Sequence, residues 1–210
     1  MATLETEIEK FSYALGMNIA ASVLQLPVEV NREIIIETVM ELLRGGKPEL
    51  AEKEYHEIMQ AFQKKLQETV QAKTQEIAKA NLEEGKKFLK ENAEKAGITV
   101  TESGLQYEVL QEGSGDSPKA TDVVKVHYEG KLLNGNIFDS SIKRGEPAEF
   151  ALNQVIPGWT EGVQLMKTGA KYRFFIPAHL AYGERGAGEF IAPNSTLIFE
   201  VELLEVKAAK

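Results

Sequence analysis

Three histidines, His56, His127 and His179, are the only imidazoles in this 210-residue chain. No two of them stand at a metal-ligand spacing. His127 sits between Val126 and Tyr128 in an alternating segment, so its side chain belongs to the opposite strand face and reads as a structural histidine. The chain has no cysteine, which removes thiol catalysis, disulfides and thiolate-bound metal. There is no Gly-x-Ser-x-Gly nucleophile elbow and no glycine-rich phosphate loop. Gly183, Gly186 and Gly188 cluster, but aromatic and charged residues surround them and no long helix follows, so they read as a surface flap. Asp139 and Arg144 admit two readings: a surface ion pair at a strand end, worth little, or an orienting pair inside a site.

Aromatic side chains are more informative. Tyr128, Phe138, Phe150, Trp159, Tyr182, Phe190 and Phe199 concentrate in the C-terminal half, with Val155, Ile156 and Ile191 among them. They are either plain core or the lining of a cavity. Tyr182 and Phe190 fall in the glycine-rich loop, where a purely structural aromatic is harder to justify. The single tryptophan, Trp159, follows Pro157 at the start of a short helical segment.

The elements that must hold these residues come in two kinds. Ile8, Phe11, Leu15, Ile19 and Val23 recur at three- and four-residue steps, one face of a helix, with the small Gly16 and Ala20 beside them. Pro27 breaks the run. Asn31 then caps a second helix bearing Ile35, Val39 and Leu42, stopped by Gly45, Gly46 and Pro48. From about Leu50 to Ala96 there is no proline and one glycine, Gly85, and such a helix would run roughly 70 Å. Its apolar stripe is dense up to Val70 and thin beyond, which predicts a packed first part and a solvated stalk. Two short helices and part of a third make a poor core for one chain. Residues 1–98 therefore read as a dimerisation module with a spacer, the alternative being a helical cap folded onto the C-terminal half.

At Gly97 the period changes. Leu105, Tyr107 and Val109 alternate with polar residues, as do Val124, Val126 and Tyr128, and Asn134-Gly135 signals a hairpin. A short helix fits Pro157 to Met166, and strands return at Tyr172–Ile176 and Thr196–Leu204. Residues 99–210 are thus an α+β domain, an antiparallel β-sheet wrapped on a short helix.

Lys and Arg total 24 against 32 Asp and Glu, a net charge of -8, which argues against nucleic acid or an anionic membrane as partner. No N-terminal basic and apolar run marks a signal peptide, and no segment is apolar enough to span a bilayer. As written, the chain is expected in the cytoplasm, or in the periplasm or at the cell surface if an export signal precedes it.

The runs Val126-His127-Tyr128-Glu129-Gly130, Phe138-Asp139-Ser140-Ser141, Val155-Ile156-Pro157-Gly158-Trp159, Ala181-Tyr182-Gly183 and Leu197 to Leu203 resemble the FKBP-type peptidyl-prolyl isomerases, in the family's order and nearly its spacing. The helical half, with Tyr13-Ala14-Leu15-Gly16 and the long helix leading into Thr101 to Leu105, resembles the bacterial macrophage infectivity potentiator (Mip) subgroup, whose members dimerise in a V shape. The resemblance implies peptidyl-prolyl cis-trans isomerisation without metal or cofactor. Tyr128, Phe138, Asp139, Trp159, Tyr182 and Phe199 would be the catalytic set, and Arg144, Val155, Ile156, Phe190 and Ile191 would bind substrate. It further implies Trp159 as floor, Tyr128 and Phe199 as walls, the Ile156 N–H and Tyr182 hydroxyl as donors to substrate carbonyls, and Asp139 as the group that orients Tyr128 and Arg144. Ala148, Gln154, Ala187 and Phe190 depart from the best-known eukaryotic members. The partners implied are proline-containing peptides, unfolded client chains, macrolide inhibitors of the rapamycin type, and a second copy docked through residues 1–70. A holdase chaperone or scaffold with little turnover is the alternative function.

Overall fold

The structure is a computed structural model of the chain and describes residues 4–208. Helix α1 (Glu7–Leu24) begins where the sequence offers a capping box. The Thr6 hydroxyl accepts the Glu9 N–H at 3.2 Å, and the Glu9 carboxylate accepts the Thr6 N–H at 2.7 Å. Helix α2 (Arg32–Leu43) starts at Asn31, whose side-chain oxygen accepts the Glu33 and Ile34 N–H groups at 3.0 and 3.3 Å. Neither helix holds a buried residue, and Ile8, Phe11 and Leu15 are 76%, 70% and 61% exposed in the single chain.

Helix α3 runs unbroken from Glu52 to Ala93. The chain forms two compact units, residues 1–73 and 74–210, divided inside this helix. Packing therefore divides about 25 residues before the change of period at residues 98/99. The solvated-stalk reading of the later turns of α3 is corrected by their contacts. Ala78, Asn81, Gly85, Phe88 and Asn92 share one helical face, spaced 3, 4, 3 and 4 apart. Gly85 is buried and Asn92 is 1% exposed. The Asn92 amide donates to the Gln106 side-chain oxygen at 2.9 Å, and the Gln106 amide donates to the Leu89 carbonyl at 2.8 Å. Phe88 lies 5.8 Å from Phe175, ring centre to ring centre. The face reads as thin in hydrophobicity because amides and a glycine carry much of the contact.

The C-terminal strands are β1 (Ile98–Val100), β2 (Gln106–Gln111), β3 (Val123–Leu132), β4 (Ile137–Ser140), β5 (Ala148–Ala151), β6 (Lys171–Ile176) and β7 (Leu197–Lys207). They form one antiparallel sheet in the order β1-β2-β6-β7-β3-β4, with β5 paired to the first half of β3. Burial in β3 alternates strictly, Val124, Val126, Tyr128 and Gly130 inward. The inner face of β6 and β7 (Phe174, Ile176, Leu197, Phe199, Val201, Leu203) packs with Trp159 and Val163 of the short helix α5 (Pro157–Gln164). α5 approaches so closely that a Cβ on Gly158 would come within 2.5 Å of Ile176, and one on Gly162 within 2.7 Å of Phe174. The opposite face, with Gln106, Phe175 and Ile198 adjacent across three strands, is the one that α3 residues meet. That second cover explains why Gln106, polar and in a strand, is only 4% exposed.

Candidate active site

The first turn of α5 fixes the floor. Pro157 occupies the first helical position, where its missing N–H costs nothing, and Trp159 follows, 4% exposed. Three rings stand edge-on to the indole. Tyr128 and Phe199 are each 5.3 Å from it and Phe150 is 5.5 Å away, at interplanar angles of 89°, 83° and 82°. The indole N–H is buried and has no hydrogen-bond partner among the described residues. Strand register sets the walls: Gly130 of β3 faces Phe199 of β7 and Asp139 of β4. A Cβ at Gly130 would lie 2.6 Å from Phe199 and 2.7 Å from Phe138, so only glycine lets both rings turn inward there. Phe138 and Phe199 then meet edge to face at 5.5 Å.

These side chains enclose a cavity of about 640 Å³, lined by Tyr128, Phe138, Asp139, Val155, Ile156, Trp159, Tyr182, Phe190, Ile191 and Phe199. Arg144, the remaining member of the expected set, is not in the lining; it reaches the wall through its hydrogen bonds to Asp139 and Tyr128. The four-residue helix α4 (Ser141–Arg144) turns the chain back after β4, so that one guanidinium nitrogen of Arg144 donates to Asp139 and another donates to the Tyr128 hydroxyl at 3.0 Å. The Tyr128 hydroxyl donates in turn to the second Asp139 oxygen. Burial pushes the Asp139 carboxyl up, but the hydrogen bonds from Tyr128 and Arg144 outweigh it and hold the group below the ordinary carboxylate range. Burial, seconded by the bond to Asp139, pushes the Tyr128 phenol above its usual value. At neutral pH the wall therefore presents a neutral phenol clamped by an ion pair.

Ile156, which precedes α5, and Tyr182 on the flap line the cavity on other sides; the Ile156 N–H and the Tyr182 hydroxyl have no hydrogen-bond partner among the described residues. His127 lies outside the cavity, its Nδ1 3.1 Å from the Ser141 hydroxyl, which also accepts the Tyr128 N–H at 2.8 Å. Phe150, Gln154 and Ala187 line the cavity as well, although they are not in the expected site set. For Phe150 the signal was present, an aromatic on an alternating strand pointing the same way as Tyr128. Gln154 and Ala187 come in through loops that carry no such period. Ala148 packs on the core without lining the cavity. No group of three or more His, Asp or Glu among the described residues is placed to hold a metal ion.

The arrangement is an apolar, aromatic cell with a polar clamp on one wall. It suits holding a peptide segment around an apolar ring. Residues 115–204 match the family model "FKBP-type peptidyl-prolyl cis-trans isomerase", and residues 8–109 match that of the domain amino terminal to it. The chain is 43% identical over 205 residues to the FKBP-type 22 kDa peptidyl-prolyl cis-trans isomerase of Escherichia coli, covering 97% of this chain and 98% of that one. It is 44% identical over 204 residues to the peptidyl-prolyl cis-trans isomerase Mip of Coxiella burnetii, covering 97% and 89%. Among solved structures, FkpA from Escherichia coli superposes with a TM-score of 0.80 at 36% identity, over 99% of this chain and 100% of the other.

Proposed function

The chain belongs to the FKBP-type peptidyl-prolyl cis-trans isomerases, enzymes acting on proline-containing chains, and we propose that the cavity over Trp159 is where it turns the X–Pro bond. Amide resonance sets the rotation barrier at about 18–20 kcal/mol, and the uncatalysed reaction takes tens to hundreds of seconds. In the twisted transition state resonance is lost and the amide is less polar than the planar ground state. Water favours the planar form; an aromatic cell removes that advantage. The proline ring rests on Trp159 between Tyr128 and Phe199. The Ile156 N–H and the Tyr182 hydroxyl donate to carbonyls on the flanking chain, fixing one end while the other rotates. Asp139, held by Arg144 and Tyr128, faces the amide and keeps the wall in one geometry; Phe138, Val155, Phe190 and Ile191 complete the apolar enclosure.

The observation that carries this reading is the Arg144–Asp139–Tyr128 clamp set against the edge-on rings around Trp159. Asp139→Leu keeps the bulk of the wall and removes the clamp, so kcat/KM for a proline tetrapeptide in a protease-coupled assay is expected to fall while the fold persists. Parent-level activity in a folded Asp139→Leu protein rules out the role given to that carboxylate. A macrolide inhibitor of the rapamycin type is expected to compete for the same cavity, its affinity altered by Gln154, Ala187 and Phe190.

We assign residues 99–210 to the isomerase domain and residues 1–98 to a dimerisation arm whose docking surface lies within 1–70. The uncovered stripe Ile8, Phe11, Leu15 and Ile19 supports this assignment. It also favours a second activity, protection of unfolded chains by the dimer, beside isomerisation. No described helix is long and apolar enough to cross a membrane.

A further inference from the structure

We propose that α3 positions the pocket flap, with Asn81 as the positioning residue and Gly85 as the point of closest approach. This rests on the assignment of the cavity over Trp159 as the isomerase site.

The flap, residues 181–196, brings Tyr182, Ala187, Phe190 and Ile191 to the cavity. Within itself it is held almost entirely by backbone. Ala187 and Ile191 exchange hydrogen bonds at 2.8 and 3.1 Å, and the Asn194 N–H closes its base on the Gly183 carbonyl at 2.8 Å. Its aromatic members add little anchorage, since Tyr182 is 41% and Phe190 71% exposed. What ties the base to the rest of the fold comes from α3. The Asn81 amide donates to the Pro193 carbonyl at 2.8 Å and lies 3.5 Å from the Ser195 hydroxyl. Asn194, in the left-handed region at φ 58°, sends its own amide back to the Ala78 carbonyl at 3.3 Å. One turn on, a Cβ at Gly85 would come within 2.3 Å of the Thr196 hydroxyl, and Thr196 is 4% exposed.

Residues 78, 81 and 85 stand on one helical face, so a single rigid rod receives the flap base through two reciprocal amide bonds and a glycine contact. None of them lines the cavity. Their effect on the reaction passes through the loop that carries the Tyr182 donor and the Ile191 wall. Without the Asn81 donor the part-buried Pro193 carbonyl loses its partner, and the base keeps its internal Asn194–Gly183 and Ser195–Ala192 bonds but is tied to the helix only through Asn194 and the Gly85 contact. A flap that wanders weakens the grip on the substrate chain more than it alters the reacting wall, which β3, β4 and α5 build without it.

The test uses the full-length chain with Asn81→Ala, Asn81→Asp (same shape, no donor) and Asn92→Ala, which breaks the same helix face at its other end, against Gln106. Tetrapeptide kinetics and Tm are measured for each. Both Asn81 variants are expected to raise KM about three- to tenfold, the size of one lost partly buried hydrogen bond, with kcat within about twofold. Asn92→Ala should lower Tm at least as much and leave KM at the parent value. If the parent is active and neither Asn81 variant moves KM, the positioning role is wrong while the cavity assignment stands. If Asn92→Ala raises KM equally, the effect is general loss of α3 packing and the role of Asn81 is overturned. An inert parent would remove the cavity assignment and this inference together.

Discussion

At the scale of single residues, the site depends on groups that are weak alone. The Asp139–Arg144 pair is nearly half exposed on both sides, so it adds little to stability, and its value is in holding the Tyr128 hydroxyl. Asp139→Leu should therefore leave Tm nearly unchanged and lower kcat/KM about tenfold or more, as expected for losing a charged hydrogen-bond partner of about 1.5 kcal/mol. Trp159→Ala removes a buried aromatic touching three others and should cost about 3–5 kcal/mol of stability together with binding, read by urea unfolding. The pH response follows from the same clamp. Asp139 has a lowered pKa, so its contribution is complete above the ordinary carboxylate value of about 3.9 and is lost only as pH falls through the lower folded-state value. Tyr128 has a raised pKa and stays neutral past its usual value of about 10. A kcat/KM profile flat between about pH 5 and 9 is expected; an inflection near neutrality would point to a titrating group outside this clamp.

At the scale of elements, α3 is the one whose role differs most from its composition. The lack of proline from about Leu50 to Ala96 located it well, but the thin apolar stripe after Val70 concealed a packed face, because Asn81, Gly85 and Asn92 make their contacts by hydrogen bonds and close approach. A fragment beginning at Thr99 would uncover Phe175 and Ile198 and strip the Gln106 side chain of its partners. A fragment beginning at Thr74 keeps them. Urea unfolding should find the shorter fragment less stable by about 2–3 kcal/mol, one partly buried aromatic plus one or two hydrogen bonds. Equal stability would mean that the second half of α3 does not hold the sheet. By contrast the start of α5 and its inward face were legible, from Pro157 and the Trp159, Val163 spacing, although the helix ends at Gln164 and not at Met166.

At the scale of the whole molecule, the first unit leaves Ile8, Phe11, Leu15 and Ile19 exposed. Light scattering at micromolar concentration should give twice the chain mass, and Leu15→Glu or Ile19→Glu should give a monomer, because a charge buried at a mate's surface has no partner. The monomerised variant should retain tetrapeptide isomerisation and lose most of its suppression of client aggregation. Asp139→Leu should do the reverse. If both variants lose both activities, isomerisation and protection are not separable.

Residue types and periods were sufficient to determine the two kinds of element, the α+β class of the C-terminal half, a short helix beginning at Pro157 and the absence of thiol chemistry, because each follows from composition or from neighbours within a few residues. The five runs that resemble the FKBP family implied one site for Tyr128, Asp139, Trp159, Tyr182 and Phe199, and all five line one cavity. Tertiary structure alone decided that Arg144 meets the wall through Tyr128 and Asp139 without lining the cavity, that Gln154 and Ala187 line it, and that the later turns of α3 pack with the C-terminal unit. Those outcomes depend on which face of one element meets another more than ten residues away, and a polar or glycine contact face carries no hydrophobic period to announce it.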